Sequence, residues 1–192
     1  EGKLEIYGKR CKEIFEHSKY VGTVLQDSDA QFVGLTVAED IAFALENDEV
    51  ETAVMKEKVK EIAQFVRIET LLDLKPHDLS GGQKQKVSLA GIMVDNAKIV
   101  LYDEPLANLD PLSGKYAIEL IGELHKDKKL TTIIIEHRLE DVLHRGIDRI
   151  IVVDKGRIIA DDTPDNILKG NLLGKMNIRE PLYISLLKYS ND

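Results

Sequence analysis

The sequence predicts an α/β protein in which a mostly parallel sheet carries an inserted helical subdomain. Two segments, 98–102 with its unbroken Ile-Val-Leu-Tyr run and 130–135, are typical of strands buried on both faces of a sheet. A predicted helix at 112–126 lies between them, and this strand–helix–strand order predicts parallel neighbours. The interval between residues 26 and 80 carries helical patterns, which indicates an insertion in the sheet domain.

Local patterns predict each element in turn. A strand–turn pattern covers 3–9, and a β-rich run at 20–25 leads into a polar loop over 26–31. Thr36 and Glu39 match a capping box, so a helix is expected to begin there. Further helices are predicted at 51–66, 83–94, 112–126 and 139–143. The remaining strands are predicted at 98–102, 130–135, 147–153 and 157–160, the last two joined by a hairpin turn at 154–156.

These elements predict three regions. Residues 1–26 and 81–170 form a partial α/β core, 27–80 form the helical subdomain, and 171–192 form a C-terminal tail or linker. The chain begins at Glu1, without methionine, directly in the strand–turn pattern. We therefore expect it to be a fragment, a processed product or an engineered truncation that lacks an upstream part.

The composition restricts the class of function. Hydrophobic residues make up 43% and charged residues 31%, values that are typical of a soluble globular chain. The formal net charge of -8 disfavours a broad nucleic-acid surface, which needs clustered Lys and Arg. The longest apolar runs are far shorter than a membrane span, so any bilayer-spanning part is expected in other chains. The single Cys11 excludes a disulfide within the chain and fits a reducing compartment.

An acidic pair follows the predicted strand at 98–102. Parallel sheets place ligand chemistry at the carboxyl ends of their strands. Asp103 is suited to hold Mg²⁺, directly or through water, and Glu104 is suited to accept a proton from an attacking water. From these residues alone, a strand that simply exits through two acids and Pro105 is the plain alternative.

A serine and two glycines mark the start of the helix at 83–94. We call Ser80, Gly81, Gly82 and Gln83 the signature residues. The free N–H groups and the dipole of a helix start suit a phosphate, and glycines let the backbone approach it closely. A plain serine cap with a glycine turn is the alternative.

Three further polar residues have both a chemical and a structural interpretation. His137 follows Glu136 just after the predicted strand at 130–135, where an imidazole could contact a terminal phosphate, although a lone histidine is more often structural. Asp110 precedes Pro111 and fits a helix cap. Gln26 carries no information by itself.

The order of these motifs along the chain resembles the ATP-binding subunit of an ATP-binding-cassette (ABC) transporter. The motifs are Gln26, the signature residues, Asp103 with Glu104, Asp110 and His137. The resemblance covers nearly the whole chain. It implies a P-loop NTPase-like (RecA-like) sheet with an inserted helical subdomain, with ATP and Mg²⁺ as cofactors.

In that family two ATPase domains face each other head to tail. ATP lies between the phosphate loop of one domain and the signature of the other. The resemblance therefore implies that the signature residues contact ATP held by a second domain, in a homodimer, a heterodimer or a fused protein. It also implies that Asp110 is a nucleotide-binding residue at this interface.

The resemblance assigns the chemistry to four residues. Asp103 and Gln26 would serve Mg²⁺, and Gln26 would also sense the membrane partner. Glu104 would be the general base, and His137 would contact the terminal phosphate. The chain would thus belong to an ATPase that is coupled to transport.

One family motif is missing. No G-x-x-x-x-G-K-[ST] phosphate loop occurs in the sequence, and the Lys and Ser/Thr of that loop have no substitute. The family places this loop, the Walker A segment, just upstream of Glu1. We therefore expect the chain alone to hydrolyse no ATP, and the intact parent to do so.

Two segments narrow the resemblance to one group of importers. Residues 26–43 and 136–142 resemble the energy-coupling-factor (ECF) importers for vitamins and the related cobalt and nickel importers. Residues 178–183 resemble the segment that joins two fused ATPase halves. The implied partners are a second ATPase domain, an integral membrane coupling protein and a substrate-binding membrane protein, but no nucleic acid. The implied location is the cytoplasmic face of the cell membrane, as a peripheral protein.

Two other functions remain open from the sequence. One is a soluble ABC-type ATPase that acts on nucleic acid or the ribosome; the short interval between Gln26 and Ser80 and the acidic charge disfavour it. The other is a non-catalytic partner that only donates its signature to another subunit. The presence of Glu104 and His137 disfavours that interpretation, because a pure donor would need neither.

Overall fold

The computed structural model describes residues 3–11, 20–27, 31–94, 97–107 and 109–190. Contacts divide the chain into two compact units, Glu1–Ile135 and Glu136–Asp192. The first unit contains a parallel sheet and its helices. The second contains a β-hairpin and short helices.

The strands described in the first unit are β1 (Glu5–Ile6), β2 (Lys9–Arg10), β3 (Val21–Val24), β4 (Ile99–Asp103) and β5 (Thr131–Ile135). The first two of these form a short antiparallel hairpin. Its helices are α1 (Val37–Asn47), α2 (Thr52–Val66), α3 (Gly81–Val94) and α4 (Pro111–Lys128), with two short 3-10 turns at Glu69–Leu71 and Pro76–Asp78. Most predicted elements are confirmed, with ends shifted by one to three residues.

The parallel sheet has the strand order β3-β4-β5. Val24 lies opposite Tyr102 in the first strand pair, and Asp103 lies opposite Ile135 in the second. Both crossovers step across the sheet in the same direction, so right-handed connections place α3 and α4 on one face. The carboxyl ends of the three strands share one edge of the sheet, which we call the carboxyl edge.

The sheet face beneath α3 and α4 is apolar and closed. Val24, Val100 and Tyr102 are each buried on it. Gly22 on β3 makes room for α3, because a Cβ at this position would lie 2.0 Å from Cγ2 of Ile92. Packing on this face accounts for only every second residue of β4 and β5. The prediction that the segment 130–135 is buried on both faces is wrong within the described residues, because Ile133 and Ile135 are exposed.

The opposite sheet face is open within the described part of the chain. Ile133 and Ile135 are 49% and 59% exposed, whereas Ile134 between them is half-buried. Successive side chains on a strand point to opposite faces, so both exposed isoleucines lie on the face away from α3 and α4. Parallel sheets in α/β proteins are usually covered on both faces, which makes this apolar face unusual.

The predicted capping box at the start of α1 is confirmed. Thr36 Oγ1 accepts a hydrogen bond from the Glu39 N–H at 3.2 Å, and Glu39 Oε2 accepts one from the Thr36 N–H at 3.1 Å. Asp40 Oδ1 accepts from the N–H groups of Val33 and Gly34 at 2.8 and 3.0 Å. The Thr36 hydroxyl gives the free Glu39 N–H at the helix start an acceptor. The Asp40 carboxylate holds the incoming loop against the first turn of α1.

The second unit is built on a β-hairpin. Its elements are α5 (Leu139–Leu143), β6 (Ile150–Asp154), β7 (Arg157–Asp162), α6 (Pro164–Lys169), α7 (Leu172–Lys175) and α8 (Leu182–Ser190). Lys155 and Gly156 in the turn have φ angles of 46° and 73°, the left-handed pair of a type I′ turn. This confirms the predicted hairpin.

Three helices of this unit were not predicted. α6, α7 and α8 lie in a region that the sequence analysis left as the end of the core and as tail or linker. Ile167 and Leu173 are buried with Val152 from β6, so the first two helices pack on the hairpin. Lys188 of α8 donates to the Gly170 carbonyl at 2.7 Å and pairs with the Glu180 carboxylate at 2.8 Å. Over the described residues, no helix is long and apolar enough to cross a bilayer.

Candidate nucleotide-binding site

Polar side chains from two neighbouring strands meet at the carboxyl edge. Asp103 is the last residue of β4, Glu104 follows it, and Gln26 lies two residues after the end of β3. Gln26 Nε2 donates to Glu104 Oε2 at 3.2 Å, across 78 residues of sequence. The structure thus brings together the three residues that the sequence analysis assigned to Mg²⁺ and to the general base.

The backbone of Glu104 has a conformation that is rare for a residue with a side chain. Its φ is 45°, in the left-handed region, and its N–H donates to the Ile135 carbonyl at 2.9 Å. Such strain persists only when the surroundings hold the residue in place, and it concentrates at functional sites. Here the hydrogen bond to β5 holds the turn that carries Glu104.

The signature residues form a reciprocal cap at the start of α3. The Gln83 N–H donates to Ser80 Oγ at 3.4 Å, and Gln83 Oε1 accepts from the Ser80 N–H at 2.9 Å. This is the capping-box geometry, with Gln in place of Glu. The plain structural role of Ser80 is therefore present, and it leaves the hydroxyl hydrogen of Ser80 available to donate elsewhere. Gly81 and Gly82 occupy the first turn of the helix, where N–H groups have no partner within the helix.

A side chain that the sequence analysis did not single out connects α3 with the acidic pair. Gln85 Nε2 donates to the carbonyl of Pro105, the residue after Glu104, at 2.7 Å. This bond places the first turns of α3 beside the carboxyl end of β4. No local pattern announces such a contact, because it joins residues 20 apart through the packing of a helix on a sheet.

Asp110 caps α4, as its position before Pro111 predicted. Asp110 Oδ1 accepts from the N–H groups of Leu112 and Ser113 at 3.0 and 3.1 Å, and the Ser113 hydroxyl donates to Oδ2. The bond from the Ser113 hydroxyl, with the help of these N–H groups, holds the pKa of the Asp110 carboxyl below its ordinary value of 3.8. The carboxylate is therefore favoured in the folded chain.

This shift predicts a measurable loss of stability in acid. A lowered folded-state pKa means that Asp110 contributes its full stabilisation above its unfolded pKa and loses it as the pH falls through the folded value. Asp110→Asn keeps a good helix cap but does not titrate. We expect the urea midpoints of the parent and this variant to converge as the pH is lowered from 5 to 2.5. A constant difference across this range would contradict the prediction.

His137 lies in the second unit, two residues after the end of β5. Its N–H donates to Glu136 Oε1 at 3.1 Å, and its Nδ1 lies 3.5 Å from the same oxygen. The Glu136 side chain is buried and also accepts from the Arg138 N–H at 3.1 Å. Glu136 therefore orients the His137 ring, which is itself mostly exposed and accessible to a ligand.

The side chains at the carboxyl edge fit a Mg²⁺ ion that also binds water and phosphate. They do not fit a metal ion whose ligands all come from the protein. Groups of three or more His, Cys, Asp or Glu placed to hold a metal are absent from the described residues. Asp103, Glu104 and Gln26 provide only oxygen donors and one amide nitrogen. Mg²⁺ usually takes one or two carboxylates and completes its shell with water and substrate phosphates. This edge therefore offers what a nucleotide-bound Mg²⁺ requires.

A known family matches the part of the chain that carries most of these residues. A family model described as "ABC transporter" matches residues 1–107, which is more than half of the chain. The matched region contains Gln26, the signature residues and the acidic pair.

Curated relatives carry the same description. An ABC transporter ATP-binding protein of Clostridium perfringens is 59% identical over 191 residues, which are 98% of this chain and 34% of that protein. One of Vibrio parahaemolyticus is 58% identical over 97% of this chain and 33% of its own length. The chain therefore spans about one third of the length of these curated relatives.

A solved structure shares the fold. It is cbiO1 from Clostridium perfringens, described as part of the ABC transporter complex cbiONQ. The TM-score is 0.76 at 30% identity, over 91% of this chain and 70% of the solved one. The predicted P-loop NTPase-like fold class is thereby confirmed. The chain belongs to the ABC transporter ATP-binding family.

Proposed function

We propose that this chain is the catalytic and signature-bearing part of an ATP-hydrolysing motor subunit that powers an ECF-type ABC importer. The Gln26–Glu104 hydrogen bond beside Asp103 is the observation that carries the proposal. It joins residues from separate strands at the edge where α/β sheets bind ligands. A signature donor without catalysis would not need this arrangement.

The acidic pair and Gln26 would act on Mg²⁺ and water. Asp103 would hold Mg²⁺, directly or through water, and Gln26 would offer its amide oxygen because its nitrogen is directed at Glu104. Bound Mg²⁺ would neutralise the charge that develops on the phosphates. Glu104 would accept a proton from the attacking water, and its left-handed backbone would hold it in position for this step.

The signature would act on ATP held by a second ATPase domain. Ser80 Oγ already accepts a hydrogen bond from Gln83, so its O–H would donate to a phosphate oxygen without breaking the cap. The free N–H groups of the first turn of α3 would add to this. Asp110 would contribute at the same interface, and His137 would contact the terminal phosphate.

The phosphate loop would come from a strand–helix unit that covers the open face of the sheet. Ile133 and Ile135 form the exposed apolar surface against which such a helix would pack. Without this unit the chain has no Lys or Ser/Thr to hold the β- and γ-phosphates. We therefore propose that the chain alone hydrolyses no ATP.

The importer assignment rests on the solved relative. Its description places cbiO1 in a multi-subunit ABC transporter complex, and the fold of this chain matches it over 91% of the chain. By this likeness we propose a vitamin or a metal ion as cargo, and membrane coupling and substrate-binding proteins as partners. The subunit would lie at the cytoplasmic face of the membrane as a peripheral protein.

A graft tests the proposal. In the Clostridium perfringens relative, the matching 191 residues are replaced by this chain, and ATP turnover of the grafted protein is compared with that of the chain alone. We expect Mg²⁺-dependent turnover from the grafted protein and none from the chain. A folded graft that neither binds nor hydrolyses ATP would contradict the proposal. Glu104-dependent turnover by the chain alone would contradict the need for an added phosphate loop.

A further inference from the structure

Three of the hydrogen bonds in the described part of the chain hold the turn that carries Glu104. The Glu104 N–H donates to the Ile135 carbonyl at 2.9 Å, and the Glu104 carbonyl accepts from the Ala107 N–H at 3.1 Å. The third bond runs from Gln85 Nε2 on α3 to the Pro105 carbonyl at 2.7 Å. Of these three, only the bond from Gln85 comes from a side chain. A substitution can therefore remove it without changing the backbone groups of the turn.

The proline after Glu104 makes its own carbonyl an effective point at which to hold the turn. A proline ring fixes φ at about −65° and leaves no N–H to donate. When the Pro105 carbonyl is also held, ψ of this residue is fixed as well. Pro105 is buried and Leu106 is 0% exposed, so the chain beyond the turn is anchored in the core. The bond from Gln85 therefore fixes the backbone of Glu104 relative to α3.

The backbone of Glu104 needs such support. Its φ of 45° lies in the left-handed region, which costs free energy for a residue with a Cβ and persists only when the surroundings impose it. If the turn were released, this angle would relax and the Cα–Cβ bond would rotate with it. The Gln26 bond to the carboxylate, at 3.2 Å, is at the long end of the ordinary range and would not fix the carboxylate against such a rotation.

Burial increases the effect of losing the bond. Gln85 is half-buried and Pro105 is buried, so water cannot readily replace the amide donor. A buried carbonyl without a donor costs free energy, and the turn would shift to find another partner. A plain structural contact between α3 and the loop is the alternative, and its loss would lower stability without acting through Glu104.

We propose that Gln85 is a positioning residue, which holds the Pro105 carbonyl and thereby keeps the Glu104 carboxylate where a general base must lie. The role of the base rests on the proposed function, whereas the effect of Gln85 on the turn does not. Gln85 lies on the same helix as the signature, so one helix would both contact ATP of the second domain and hold the base of its own domain.

Amide hydrogen exchange on the chain alone tests the contact. Gln85→Met keeps the length of the side chain but removes the donor. We expect the N–H groups of Glu104 and Ala107 to exchange about five- to tenfold faster, the effect of one hydrogen bond on local opening. The Thr131 N–H, at the opposite end of β5, should exchange at the parent rate. Gln64→Met, the same change on the exposed surface of α2, should alter none of these rates.

Turnover of the grafted protein tests the consequence. Gln85→Met should lower kcat about tenfold or more, while ATP affinity changes by less than about twofold, because a misplaced base slows the chemical step alone. In a Glu104→Gln background the same substitution should have no further effect, since no base is left to position. Gln64→Met should keep the parent rate.

The outcomes separate this proposal from the proposed function. A parent graft without turnover would contradict the proposed function, and exchange at Glu104 would still decide whether Gln85 holds the turn. If circular dichroism shows that Gln85→Met is unfolded, Gln85→Glu takes its place, because an ionised Glu has nearly the same shape and no donor. Unchanged exchange at Glu104 would overturn the proposal. So would an equal loss of turnover with and without the Glu104 carboxylate, which would indicate a plain structural contact.

Discussion

Replacing Glu104 by Gln should reduce ATP turnover of the grafted protein by about a hundredfold or more while leaving ATP binding intact. A positioned general base typically contributes a factor of this order or more. Gln has nearly the shape of Glu and still accepts the hydrogen bond from Gln26, so the carboxyl edge should keep its geometry. The loss would therefore report on proton transfer rather than on folding.

The measurement is steady-state phosphate release at saturating Mg-ATP, with ATP affinity measured separately on the same protein. Glu61→Gln on the exposed surface of α2 is the matched control, and it should retain the parent rate. If Glu104→Gln keeps more than about a tenth of the parent turnover, Glu104 is not the general base. Loss of ATP binding as well would assign Glu104 to the nucleotide or metal site instead.

Gly34→Ala should clearly destabilise the folded chain. A Cβ at residue 34 would lie 2.3 Å from the backbone nitrogen of Asp40 and 2.8 Å from the carbonyl oxygen of Thr36. Backbone atoms of a helix start cannot move aside as a flexible side chain can. The loop would have to lift away, and the hydrogen bonds from Val33 and Gly34 to Asp40 Oδ1 would be lost with it. We expect a cost of about 2–3 kcal/mol.

Gly91→Ala is the same chemical change, but it should not lower the stability of the folded chain. Gly91 lies inside α3, and a Cβ there would meet nothing within 4 Å. Alanine is a better helix former than glycine by roughly 1 kcal/mol, so this variant should be as stable as the parent or more stable. Urea unfolding of both variants checks the pair. Equal midpoints for Gly34→Ala and the parent would show that the loop yields more easily than its hydrogen bonds indicate.

Under the proposed function, the contacts around Glu104 would connect the signature with the general base. The Gln26 side chain donates to the Glu104 carboxylate, and the Glu104 N–H donates to the Ile135 carbonyl. The Gln85 side chain on α3 donates to the carbonyl of Pro105, the residue after Glu104. Under the proposed function, a shift of α3 would be transmitted through Gln85 to the loop that carries the base. The signature would then influence the chemistry in its own domain as well as the ATP that it contacts.

Much of the fold was determined by local sequence patterns. The positions of the strands β4 and β5, the capping box at Thr36 and Glu39, and the turn at Lys155 and Gly156 each depend on neighbouring residues only. Strand periodicity, helix caps and left-handed turns have direct physical causes in the sequence, so these predictions were confirmed. The three C-terminal helices were missed because helices of four to nine residues depend on packing rather than on their own propensity.

The candidate site divides in the same way. The residue types at the acidic pair and the signature were evident from sequence, because a strand end and a helix start have recognisable local signals. Tertiary structure decided the Gln26–Glu104 bond across 78 residues, the Gln85–Pro105 bond, and the exposure of Ile133 and Ile135 on one face of the sheet. Each depends on which face of the sheet a crossover helix occupies and how closely two helices pack. Those distances arise from many weak contacts along the whole chain, and no short stretch of sequence encodes them.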